Sequence, residues 1–237
     1  MRRLLLILSL AILALPVAAQ RIISADVETK SVSEGKVTTT RKHVCCTSGG
    51  RLVSHFFMPL EYYAIELSKG EARYWLPGSN QVYTEHTGST SSKDEVLYIF
   101  LSRMVQDMGL LQYGYTLKSS VAEKDGYLKK TFVTDNPDNT PVVEVVYKDF
   151  QPVYMAYRNT DGRLRGRWYY SNYKSVGRIS VPSRTTEILY PSPKDSIVTR
   201  SIYSNLVADS DDPLATFEIP SDAKPMSVAP TASRKSR

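Results

Sequence analysis

One stretch of this chain, Ser92 to Gly109 (SKDEVLYIFLSRMVQDMG), carries helical periodicity, and the residues on both sides of it read as strands. Val96, Leu97, Phe100, Leu101, Met104, Val105 and Met108 recur at three- and four-residue spacing, which makes a wide apolar face. Ser92 and Glu95 have the form of a capping box, Asp94 and Glu95 suit the positive helix start, and Gly109 suits a left-handed stop. A lone helix this apolar has to be buried against a sheet.

The sheet is written in alternation and turn signals. Strands are expected around Ile23–Glu28, Lys36–Cys46, Arg51–Met58, Tyr62–Leu67, Ala72–Leu76 and Gln81–Glu85. After the helix they resume at Gln112–Lys118, Tyr127–Thr134, Val142–Lys148, Pro152–Arg158, Leu164–Tyr173, Ser180–Tyr190 and Ile197–Ala208, with Phe217–Pro220 closing the domain. Ser33-Glu34-Gly35-Lys36, Gly49-Gly50, Pro77-Gly78 and Thr160-Asp161-Gly162-Arg163 mark the turns. Leu164–Tyr173 alternates most clearly, with Arg163, Arg165 and Arg167 on one face and Leu164, Trp168 and Tyr170 on the other. The fold class that follows is mainly β: about a dozen strands in an antiparallel meander that curls into a half-barrel, with the helix plugging the concave face. Without helices between strands, parallel pairing is not expected.

Arg2-Arg3, the apolar run Leu4–Leu15 and Val17-Ala18-Ala19 have the layout of an export signal over residues 1–19. No Cys stands at the expected cleavage point, so no lipid anchor is expected and the compartment is the periplasm. The β domain is expected over 20–226, and the tail 227–237 (SVAPTASRKSR) has a disordered composition. The formal charge of +6 loses Arg2 and Arg3 with the signal and Arg234, Lys235 and Arg237 with the tail, leaving about +1 on the domain. That argues against a nucleic-acid partner. Cys45 and Cys46 are adjacent, so a strand directs them to opposite faces. Two separate thiols, a strained vicinal disulfide and an intermolecular bridge all fit. His43 lies nearby, but the ligand set is too small for a closed metal site.

Catalytic signatures are missing. There is no G-x-S-x-G elbow, no P-loop and no H-E-x-x-H. The chain is read as non-enzymatic and without a cofactor. The aromatics say more: 16 Tyr, 6 Phe and 2 Trp fall mostly in the strands, where Tyr is also ordinary wet-ended filler. The sharper reading places Phe56, Met58, Tyr62, Trp75, Trp168, Tyr170 and Tyr203 on an apolar face under the helix. Phe100, Met104 and Met108 would face them from the helix itself. An apolar hollow of this kind suits acyl chains.

Three motifs in order carry a family resemblance. Leu67–Tyr83 (LSKGEARYWLPGSNQVY) has a strand, a Gly turn, an aromatic strand and a P-x-x-N-Q stretch. Tyr173, Gly177 and Pro182 within Tyr170–Arg184 form the second, and Phe217–Ala223 (FEIPSDA) the third. Together they resemble the outer-membrane lipoprotein carrier (LolA-like) superfamily. The resemblance implies a strongly curved, incomplete antiparallel barrel with helices on its concave side and lipid held in the hollow. It implies lipoprotein cargo, an inner-membrane release complex as donor and an outer-membrane protein as acceptor. Two positions depart from the pattern: residues 20–33 read as strand where the family opens with a helix, and Met58-Pro59 stands where carriers place a basic residue before Pro.

Three functions compete on this reading. The first is a periplasmic carrier or binder of acylated cargo that takes part in outer-membrane lipoprotein sorting. The second is an envelope sensor or assembly module with a solid core. The third is a secreted hydrolase with a spatial carboxylate pair, one member of which would have a raised pKa.

Overall fold

The computed structural model describes residues 21–86, 91–192 and 194–226. The expected export signal and basic tail lie outside the described residues. The strands are β1 (Ile22–Ser33), β2 (Lys36–Thr47), β3 (Arg51–Met58), β4 (Tyr62–Leu67), β5 (Ala72–Leu76) and β6 (Gln81–Glu85). The helix α1 is Val96–Leu101. Then come β7 (Thr116–Ala122), β8 (Tyr127–Val133), β9 (Val142–Lys148), β10 (Gln151–Arg158), β11 (Leu164–Val176), β12 (Ile179–Ser192), β13 (Asp195–Ala208) and β14 (Lys224–Pro225).

All fourteen belong to one sheet, in the order β14-β6-β5-β4-β3-β2-β1-β13-β12-β11-β10-β9-β8-β7. Two meanders, β1 to β6 and β7 to β13, are built from consecutive antiparallel hairpins. They are joined where β1 pairs antiparallel with β13, Val27 opposite Tyr203 and Val32 opposite Val198. The first and last long strands therefore lie side by side at the centre, and β6 and β7, consecutive in sequence, lie toward opposite edges. The segment between them has to cross one face of the sheet.

That crossing carries α1, whose Leu97, Phe100 and Leu101 are buried together with Ile23, Val27 and Val44 of β1 and β2 and Val181 of β12. The same core takes in Phe132 of β8, Val145 and Tyr147 of β9, and Tyr170 of β11. Strands so far apart in the order reach one short helix because the sheet curls around it.

The expected 18-residue helix is instead a six-residue one between 3₁₀ turns at Ser92–Asp94, Met104–Gln106 and Leu110–Tyr113. Arg103 (φ 59°), Met108 (φ 52°) and Gly109 (φ 76°) are left-handed, and each redirects the chain. A straight rod offers a curved wall only one stripe. The bent segment instead buries Ile99 on its flank and Met108 and Leu110 beyond the helix. The capping box does not form either. The Ser92 hydroxyl donates to the Gly50 carbonyl at 2.6 Å, Ser91 accepts from the Lys93 amide, and the Glu95 carboxylate faces the sheet. Gln112 and Tyr113, expected to open the strand Gln112–Lys118, belong instead to the last of these 3₁₀ turns, and β7 begins at Thr116.

The outer face of β2 to β5 is covered by the C-terminal strap, residues 209–226. Leu214 and Phe217 pack on Cys45, Val53 and Ile65. Phe217 stacks on Tyr63 at 4.5 Å and tilts against Trp75 at 5.9 Å. Arg51 donates to the Glu218 carboxylate at 3.0 Å and to the Phe217 carbonyl. The strap ends as β14, which pairs parallel with β6, contrary to the all-antiparallel expectation. A single pass running back along the edge, not a hairpin, delivers it there.

Leu97 is fully buried where α1 meets the sheet. Leu97→Ala should cost about 2–5 kcal/mol, read as a lower urea midpoint with an unchanged slope. A wild-type midpoint would show that the crossing segment does not bear on stability.

Candidate functional site: the uncovered half of the helix-bearing face

Along each strand the helix-bearing face changes character. On β1, Ile23, Ala25 and Val27 are buried, whereas Thr29 and Ser31 on the same face are half-buried. The crossing segment fills the half nearest the Gly49-Gly50 and Gly177 turns. The other half, toward the Glu34-Gly35 and Gly162 turns, is a trough.

Hydroxyls line its floor and satisfy one another: Thr29 lies 2.9 Å from Ser201, and Ser31 lies 3.0 Å from Thr199. One wall is apolar. Tyr157, Trp168, Leu189 and Ile197 line a depression of about 280 Å³, with Thr140 and Arg165 also on its lining. Trp168 stands edge-on to Tyr157 at 5.0 Å. Its ring lies over Gly166, where a Cβ would come within 2.9 Å of the indole and 3.0 Å of Leu189. The absent side chain at Gly166 therefore lets Trp168 lie flat along the wall. On the other side, Phe56 stacks on Tyr62 at 4.2 Å, with the Lys42 ammonium 5.3 Å above the Phe56 ring.

A polar latch marks the boundary between the two halves. Glu95 at the start of α1 accepts from the Tyr203 hydroxyl at 3.0 Å and pairs with Lys42 at 3.7 Å. Burial, and then the Glu95 charge, push the Tyr203 hydroxyl well above its ordinary pKa, so it stays protonated and donates. Tyr113 donates to Asp94 at 2.6 Å.

Of the residues expected to line the hollow, Phe100, Met108, Tyr170 and Tyr203 are buried in one core, with Met104 and Trp168 packed against it. Phe56 and Tyr62 form a neighbouring cluster. Met58 is 36% exposed at the end of β3. Trp75 lies on the opposite face: it is paired with Tyr63, packs under Phe217, and donates to the Asn80 side chain at 3.1 Å. Period-2 counting places Tyr74 and Trp75 on different faces, and Tyr74 is the one on the helix side. Tyr157, Gly166, Leu189 and Ile197 were not picked out. Gly166 was within reach of the sequence, because it precedes Trp168 and Tyr170 at two-residue spacing.

The outer face carries a separate polar cluster. The His43 Nδ1 lies 2.6 Å from Asp26, and its Nε2 lies 2.9 Å from Asp212 in the strap. Asn205 donates to Asp26 at 2.7 Å, and the Leu214 amide donates to Asp212 at 2.9 Å. Burial alone would lower the His43 pKa; the bonds to Asp212 and Asp26 and their charge outweigh it and raise it. Both ring nitrogens are engaged, so the imidazole has neither a free lone pair for catalysis nor one for a metal. Asp26 is held low by Asn205 and His43. For Asp212, burial pushes upward, and the bond to His43 leads the interactions that bring it low. A general acid needs the opposite shift, so this carboxylate pair does not meet the hydrolase expectation. Cys45 faces the strap and Cys46 the inner core; both are buried free thiols, and burial pushes Cys45 up to about 12 and Cys46 higher still. Among the described residues, no group of three or more His, Cys, Asp or Glu is placed to hold a metal ion. Among them, too, no helix is long and apolar enough to cross a membrane.

No family model and no curated protein matches this sequence. Solved structures do. A DUF1329 family protein from Desulfovibrio piger superposes with TM-score 0.58 at 16% identity, covering 89% of this chain and 95% of that one. A LolA superfamily protein from Nitrosomonas europaea gives 0.55 at 12%, covering 79% and 86%. An outer membrane lipoprotein-sorting protein domain from Vibrio parahaemolyticus gives 0.55 at 10%, covering 81% and 86%. The chain thus has the curved open-sheet fold of LolA superfamily proteins, as the resemblance of its motifs implied.

The His43 clamp has a pH signature. The raised pKa of His43 means that its contribution is complete below the ordinary value of 6.5 and is lost as pH rises through the folded-state value. The lowered pKa values of Asp26 and Asp212 mean that theirs is complete above 3.8 and is lost as pH falls through the depressed values. The strap should be held best between those limits. Raising the pH through neutrality should speed limited proteolysis of the strap in the wild type but not in His43→Gln. Identical pH profiles would refute the clamp.

Proposed function

We propose that the protein is a periplasmic binder of acylated cargo, taking a single acyl chain in the apolar depression of the trough and acting in lipoprotein sorting. The observation that carries this reading is the depression itself: about 280 Å³, walled by Tyr157, Trp168, Leu189 and Ile197. Its volume is at the lower bound of ligand pockets, roughly 300–1,000 Å³, which suits one chain and not a multiply acylated anchor. Burying eight methylenes there would contribute about 6 kcal/mol before association costs. The fold shared with the lipoprotein-sorting domain supports the same class of cargo. The export signal expected over residues 1–19 would deliver the chain to that compartment, and residues 20–226 are the unit that would act there. An inner-membrane donor and an outer-membrane acceptor are the partners this role requires.

A specific observation favours a second reading. Leu97, Phe100 and Leu101 pack flush against the sheet, so the space directly under α1 is filled. A solid core is what an envelope sensor or assembly module would have. The two readings part on the trough. On the first, a fluorescent fatty-acyl probe binds the purified protein, and Trp168→Ala and Leu189→Asp each weaken it roughly tenfold to a hundredfold. If the wild type leaves the probe free, and native mass spectrometry of periplasmic protein finds no lipid, the second reading stands.

A further inference from the structure

The sheet's outer face is covered by the strap over β3 to β5 and the Cys45 end of β2, but exposed over β11, β12, β13, β1 and the Val37 end of β2. The register arranges this exposed part in three rows. In the row nearest the Glu34-Gly35 turn Ile188, Val198, Val32 and Val37 stand opposite one another across β12, β13, β1 and β2. Val32 is 40% and Val37 64% exposed. Arg167 continues that row on β11, its guanidinium 5.7 Å from the rings of both Tyr169 and Tyr190. Next to it, in the middle, runs the row Tyr169, Thr186, Arg200, Lys30. Beyond that runs the row Arg184, Ile202, Glu28, Arg41, with Ile202 41% exposed.

The charge on these rows is one-sided. Arg41 at 2.8 Å and Lys30 at 3.2 Å already neutralise Glu28. Among the described residues Arg167, Arg184 and Arg200 have no carboxylate within ion-pair distance. The result is a grid of about 7 Å by 4.8 Å in which exposed aliphatics alternate with free guanidiniums and tyrosines. It has no groove to track a polymer backbone, and its aliphatic row and Ile202 would be wasted on a purely ionic partner. A surface that is anionic and apolar at once matches both features. Arginines pair with phosphates, tyrosines sit at the headgroup level, and aliphatic side chains enter the acyl boundary.

We propose that this outer face docks on an anionic phospholipid bilayer, with Arg167, Arg184 and Arg200 on lipid phosphates and Val32, Val37 and Ile202 at the interface. The trough, on the opposite face, stays uncovered while the protein is docked. This inference stands on the outer face alone and does not depend on what the trough binds.

The test is vesicle co-sedimentation of the whole chain, basic tail kept in every variant, on phosphatidylcholine with and without phosphatidylglycerol. The wild type should bind only the anionic vesicles, more weakly as salt rises. Arg184→Gln/Arg200→Gln, with an unchanged melting temperature, should bind about thirtyfold more weakly. Val37→Asp should weaken binding as well. Lys118→Gln/Lys124→Gln removes equal charge from exposed positions on and beside β7 and should change binding less than about twofold. Equal binding to neutral vesicles, or an equal loss in the lysine pair, overturns the proposal. So does arginine-dependent capture of DNA or an acidic polypeptide while anionic vesicles stay unbound.

Discussion

The pairing of β1 with β13 is the constraint on which the rest of the structure depends. Each meander alone is local: a hairpin follows a hairpin, and no contact spans much sequence. Once Val27 lies opposite Tyr203, the sheet becomes continuous, and its two central strands are the ends of the long-strand series. The chain between β6 and β7 then has to pass over one face from edge region to edge region. A polar loop there would leave the valines of β9 and the aliphatics of β1 facing water. An apolar segment buries them, and the sheet curls around it. The lone helix is thus the consequence of the closure, and its hydrophobicity is set by the face it has to cover.

Strand positions were highly legible because period-2 alternation and turn chemistry act locally. Arg51–Met58, Tyr62–Leu67, Ala72–Leu76, Gln81–Glu85 and Val142–Lys148 lie where alternation puts them. What failed was long-range. Apolar spacing in 92–109 suggested a continuous helix, yet the curvature of a wall made by residues a hundred positions away broke it at Arg103 and Met108. Glu95, placed by spacing in a capping box, is drawn off by Tyr203 and Lys42, neither of which a local pattern can see. Trp75 was assigned to the wrong face because aromatic content was allowed to outweigh alternation. The strap's parallel return to β6 has no sequence signature, since β14 pairs only two residues, Lys224 and Pro225.

The same alternation that builds the sheet divides its chemistry. Along β11, Gly166, Trp168 and Tyr170 face the helix side, whereas Arg167 and Tyr169 face outward. On β1, Val27 and Thr29 face inward and Glu28 and Lys30 outward. A single strand therefore contributes at once to an apolar pocket wall and to a cationic grid, and a substitution on one face leaves the other's side chains in place. The two surfaces are back to back, about one sheet thickness apart, and share only backbone.

That arrangement gives the latch its position in the argument. Glu95, Lys42 and Tyr203 join the start of α1 to β2 and β13 at the border between the filled and unfilled halves of the inner face. Their interactions are polar and directional, in contrast to the apolar contacts that Leu97 and Phe100 make deeper in. A ligand extending from the depression toward α1 would meet this border first. Breaking it uncovers a partly buried carboxylate and ammonium, a cost that apolar burial along the trough has to offset. The wall of Tyr157, Trp168, Leu189 and Ile197 lies further along the same face, on the far side of the Thr29 and Ser201 hydroxyls from this border.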